Sequence, residues 1–186
     1  MTDKSSFTAE EWGVVRGSVL AAGLAVSMAE PSGLIGMLQE GFANARDMLA
    51  AKQDAGVNPL IRAVIADLET SEGRTEAREA LAAMVRGRQP IDAKAATLAS
   101  LAEAARILDA KAPADAAAFK AWLNQIAGNV ANAAKEGGFL GFGGTPVSEN
   151  ERAALADIAK ALAGSGGNGA AVNRSRRFSA ARPVYG

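Results

Sequence analysis

The sequence predicts an all-α protein: a single bundle of about seven helices, with a pseudo-repeated helix hairpin and a disordered C-terminal tail. Three observations carry this. Hydrophobic residues make up 49% of the chain and aromatic residues 5%, so the apolar mass is largely Ala and Leu, which suits helices packed at close range. Apolar residues recur at three- and four-residue spacing in one stretch after another, with no sustained β alternation. Helix-starting signals stand ahead of three of those stretches, at Thr8-Ala-Glu-Glu11, Asn58-Pro59 and Ser148-Glu-Asn-Glu151.

The first helix opens at the Thr8–Glu11 capping box and carries Trp12, Val15, Val19, Ala22 and Val26 at helical spacing. Leu20 and Leu24 widen that stripe, which predicts a helix buried on more than one side. Pro31-Ser-Gly33 breaks it. A second helix is expected from Leu34 to Gln53, with Leu34, Ile35, Leu38, Phe42, Ala45 and Leu49 on one face. Asn58 caps a third, with Pro59 in its first turn and Leu60, Ile61, Val64 and Leu68 inward.

Ser71 and Gly73 are read as punctuation before a short fourth helix carrying Leu81, Met84 and Val85. The fifth has the clearest period, Ile91, Ala95, Leu98, Ala102, Ala105 and Leu108, with Lys94, Glu103 and Arg106 outside. Pro113 starts the sixth, with Phe119, Trp122, Leu123, Ile126 and Val130 inward. A glycine-rich loop over 136–147 leads to the seventh, which opens at Ser148 and buries Leu155, Ile158 and Leu162. Residues 1–7 are read as a flexible N terminus, 8–163 as the helical domain and 164–186 as a tail. That tail has too little apolar surface to offset the entropy of ordering.

Composition narrows the chemistry. The chain has no Cys and no His, which removes disulfides, thiol nucleophiles, Ser-His-Asp triads and zinc sites of the usual ligands. A non-enzymatic role is expected, because an acid–base pair would have to come from Asp, Glu, Lys or Tyr alone. Twenty basic residues balance twenty acidic ones, but the tail holds four Arg and no acid, leaving sixteen against twenty elsewhere. The helical domain therefore lacks the basic excess that nucleic-acid binding requires. The most apolar stretch, 17–28, is 12 residues long, short of the ~20 needed to span a bilayer, and Glu10 and Glu11 precede it. Neither a membrane span nor a signal peptide is expected, and a cytoplasmic location follows.

Two glycine steps look alike. Ala29-Glu-Pro-Ser-Gly33-Leu-Ile-Gly36 is followed by Glu40, and Lys135-Glu-Gly-Gly138-Phe-Leu-Gly141 by Glu149 and Glu151. Each joins an apolar helix to a further one through an acid and a Gly-apolar-apolar-Gly step. The stretch Ser32-Gly33-Leu34-Ile35-Gly36-Met37-Leu38-Gln39-Glu40 resembles the acidic-glycine hairpin, Asp-Gly-x-Ile-x-x-x-Glu, of the TerB-like family of tellurite-resistance and stress-response domains. It keeps the glycine, the apolar pair and a later glutamate, with Ser32 in place of the acid. The resemblance implies a seven-helix domain with a stress-response role.

The candidate site residues follow from these loops. Glu30, Glu40, Glu136, Glu149 and Glu151 are either helix-capping acids or ligands of a divalent cation, which would need several oxygens converging on one point. No organic cofactor is expected. Phe139, Leu140 and Phe142 are loop residues tucked into the core or a docking patch. Their glycines lack the Lys-Ser/Thr of a phosphate-binding loop, and no strand precedes them. Arg176, Arg177, Phe178 and Tyr185 are a solvated extension or a short docking peptide. Trp12 and Trp122 lie on apolar stripes and are read as core. The leading expectation is a protein–protein interaction module, and the alternative is a carboxylate-based cation site at the two glycine loops.

Overall fold

The computed structural model describes residues 2–29, 50–52, 56–136 and 148–164, with only the backbone of 134–136. All regular structure among them is helical: a 3-10 turn at Lys4–Ser6, then α1 (Ala9–Ser27), α2 (Pro59–Glu69), α3 (Ser71–Val85), α4 (Pro90–Lys111), α5 (Pro113–Glu136) and α6 (Glu149–Ala163). Residues 50–52 are also helical. The rest of the expected second helix, the second glycine loop and the tail lie outside the described residues, and with them the test of a duplicated hairpin.

The Asp3 carboxylate accepts from the Ser5 amide and hydroxyl at 2.9 and 2.6 Å, closing the turn. Phe7 is buried against Trp12, their rings 5.7 Å apart. These residues sit on either side of the Thr8 cap, just before it and four positions into the helix, and so form a hydrophobic staple. Thr8 and Glu11 close the capping box expected there, with Oγ1 accepting from the Glu11 amide at 3.1 Å and the Glu11 carboxylate from the Thr8 amide at 2.9 Å. Thr8→Ala is expected to lower stability by about 1 kcal/mol, read as a shift in the urea midpoint with unchanged slope.

Helix α1 is the central element and touches all five other helices. Its long buried run, from Val15 to Val19 and again from Ala21 to Ser27, leaves no wide solvent face. Ser18 and Ser27 tolerate this because their hydroxyls donate to carbonyls one turn back, those of Val15 and Gly23. The core formed around it includes Leu60, Val64, Leu101, Leu108, Phe119, Leu123, Ile126, Ile158 and Leu162.

Two helices depart from the pattern read along the chain. Helix α3 begins at Ser71, so Gly73 lies in its first turn rather than before it. Thr70 both ends α2 and caps α3: its hydroxyl donates to the Asp67 carbonyl at 2.7 Å and accepts from the Gly73 amide at 2.9 Å. Along α4 the buried stripe is Ala93, Thr97, Leu101, Ala104, Ala105, Ile107 and Leu108, while Ile91 is 73% exposed and Ala95 is exposed. Small Ala93 and Thr97 permit close packing at that end, and the Thr97 hydroxyl is satisfied by the Ala93 carbonyl at 2.9 Å. Size and hydrogen bonding, rather than hydrophobicity, chose the inward face there.

Candidate functional site

Two features stand out: an open cleft between the start of α2 and the middle of α5, and a buried polar clamp on α1. The cleft is built first by Asn58. Its Oδ1 caps α2 by accepting from the Leu60 and Ile61 amides at 2.9 and 3.4 Å, and its Nδ2 donates to Asp115 Oδ1 at 2.7 Å. Asp115 lies in the first turn of α5 and is buried. One side chain thus holds the beginnings of two helices together and sets the spacing of the walls behind them.

The cleft encloses 710 Å³. One wall is Val57, Pro59 and Ile61 with Gly56 and Asn58, and the other is Ala118, Ala121, Trp122 and Gln125 of α5, with Ala50 and Ala51 at the edge. None of these residues is charged. Positions 118, 121, 122 and 125 share one helical face, and the three other than Trp122 are exposed. Trp122 is only 6% exposed and is braced edge-on by Phe119, ring centroids 5.5 Å apart. Its volume falls within the range of small-ligand sites, and its exposed lining is divided between polar and apolar surface.

The clamp centres on Arg16, which is 4% exposed in α1. Its Nη1 donates to Asp67 Oδ2 at 2.8 Å and its Nη2 to Glu76 Oε2 at 2.5 Å, tying α1 to α2 and α3 together. The Trp12 indole N–H also donates to Asp67 Oδ2, at 2.8 Å, and Lys4 Nζ reaches Oδ1 at 3.1 Å. Burial would raise the Asp67 pKa, but hydrogen bonds from Arg16, Trp12 and Lys4 outweigh it and hold the carboxyl below its ordinary value. Burial likewise opposes the charge on Arg16, and the bonds to Asp67 and Glu76 reverse it, raising its pKa. Arg16 Nε has no partner among the described residues.

Of the residues singled out in the sequence, Glu30, Glu40, Phe139, Leu140, Phe142, Arg176, Arg177, Phe178 and Tyr185 lie outside the described residues. Glu136 is the last residue of α5, and its side chain is not described. Glu149 is exposed in the first turn of α6. Glu151 is buried and closes the second capping box, accepting from the Ser148 amide at 2.8 Å while Ser148 Oγ accepts from the Glu151 amide at 3.1 Å. Among the described residues no three acids gather as a metal ion's ligands would.

The sequence reading passed over the cleft and the clamp. A signal for the clamp existed: Arg16 falls among Trp12, Val15 and Val19 on the inward stripe, where a charge requires a partner. Nothing comparable marks the cleft, whose walls are 57 to 75 residues apart in the chain. Comparison of the chain with protein-family models, with curated proteins and with solved structures finds no match. No described helix is long and apolar enough to cross a membrane.

Proposed function

We propose that this chain is a non-enzymatic helical module that binds a protein partner through the cleft between α2 and α5. The observation that carries the reading is an uncharged, ligand-sized recess whose walls are held by the Asn58–Asp115 bond before anything binds. Preorganisation of this kind reduces the ordering cost of association. The chemistry elsewhere agrees with binding rather than turnover. The buried acids Asp115 and Glu151 hold helix starts, and Asp67 is spent on the clamp. The TerB-like resemblance implies a stress-response setting for the partner.

Ala121 is exposed on the cleft wall, so Ala121→Glu tests the reading with little risk to the fold. The variant is expected to keep its helical circular dichroism and melt within about 2 °C of the native chain. It should also lose the partner that crosslinks to the native chain in an extract of its source cells. Undiminished crosslinking to the same partner would show that the cleft is not the binding face.

A further inference from the structure

The clamp and the cleft meet in one short helix. With 11 residues, α2 is about 16 Å long. Its first turn supplies Pro59 and Ile61 to the cleft wall and is tied to α5 by the Asn58–Asp115 bond at 2.7 Å. Its last turn is tied to α1 by Asp67, which accepts from Arg16 Nη1 and from the Trp12 indole, both at 2.8 Å. Two residues on, Glu69 pairs with Lys52 at 2.7 Å, and Lys52 directly follows Ala50 and Ala51 at the edge of the cleft.

These ties differ in what they can hold. The buried stripe of α2, Leu60, Ile61, Val64, Ile65 and Leu68, keeps the helix on the core, but apolar contact is non-directional and does not fix its angle. Lys52 and Glu69 are both about half exposed, so solvent screens their attraction. The Asp67 bonds are charge-assisted and largely shielded, and they are directional. We infer that Asp67 is a positioning residue for the cleft: by fixing the far end of α2 it sets the angle of the wall at Pro59 and Ile61. Through Glu69 and Lys52 it also sets the edge at Ala50 and Ala51. The inference deepens the binding role proposed above and takes its functional meaning from it, while the coupling itself is a property of the fold. Released at Asp67, α2 keeps its Asn58 anchor and pivots about it.

The chain has no Cys, so introduced pairs carry the only nitroxide labels. Ala66→Cys with Ala117→Cys places labels on α2 and α5, at exposed positions outside the cleft lining. Ala99→Cys with Ala156→Cys, exposed on α4 and α6, serves as the control pair. Double electron–electron resonance then reads each separation in the full chain. Asp67→Asn is expected to broaden the first distribution and shift it to longer distance, leaving the control pair unchanged. Trp12→Phe removes one donor from α1, away from both labels, and should broaden the first distribution less. If Asp67→Asn loses its helical circular dichroism, Trp12→Phe decides alone. An unchanged first distribution overturns the inference. Equal broadening of both pairs overturns it too, because it marks general loosening and not a pivot. Partner binding is read separately by Ala121→Glu, so either reading can fail while the other stands.

Discussion

Replacing Asp67 by Ala is expected to destabilise the fold by about 3–5 kcal/mol, the range for removing one partner of a buried ion pair. The variant leaves Arg16 4% exposed with half of its guanidinium unpaired and strips the Trp12 indole of its acceptor. Glu76 remains, but it is about half exposed and reaches only Nη2. Much of the loss is the penalty of a stranded charge, so the double variant Arg16→Met, Asp67→Leu should recover most of it. Urea titration of the four chains measures both the single losses and the coupling. A loss below about 1 kcal/mol for Asp67→Ala would mean that Arg16 escapes to solvent and that the clamp contributes no more than a surface pair.

The same carboxylate gives the fold an acid limit. Because the folded pKa of Asp67 is depressed, its contribution is complete above the unfolded value of about 3.9 and is lost as pH falls through the lower folded one. Glu11 moves in the same direction, chiefly through the Thr8 amide. Asp67→Asn should therefore show a shallower decline of stability below about pH 4 than the native chain.

Gly73→Ala is the second large effect, expected at about 3 kcal/mol and opposite in sign to the usual gain from replacing a helical glycine. A Cβ on Gly73 would lie 2.1 Å from the Asp67 carbonyl oxygen and 2.8 Å from its carbon, both backbone atoms. Those atoms cannot step aside cheaply, because that carbonyl also accepts from the Thr70 amide at 3.0 Å and hydroxyl at 2.7 Å. Relief requires the α2–α3 elbow to open, which also draws Asp67 away from Arg16. The two variants should thus be coupled, with less than additive loss in combination. A melting temperature unchanged by Gly73→Ala would show that the elbow relaxes without cost.

Local chemistry accounts for most of what was legible along the chain. Capping boxes at Thr8 and Ser148, the Asn58 cap and the proline starts of α2 and α5 act through residues within a turn of one another, so the sequence alone placed those helices. Strong stripes also survived folding, as in α5, where Phe119, Trp122, Leu123, Ile126 and Val130 are all buried as expected. The all-helical class and the deep burial of α1 were determined at this level, because they follow from periodicity and from the width of an apolar face.

What required the tertiary structure is every pairing across elements. Ile91 faces outward because neighbouring helices admit Ala93 and Thr97, a matter of clearance that no period encodes. Gly73 reads as a break in sequence and is instead a contact point, since only the folded elbow brings the Asp67 carbonyl to it. Arg16 carried a charge into an apolar stripe, but its partners stand 51 and 60 residues away. The two tryptophans are indistinguishable as stripe residues. Folding sets one against a carboxylate and the other against an open cleft, because hydrogen-bond partners are assigned by spatial neighbours and not by position along a helix.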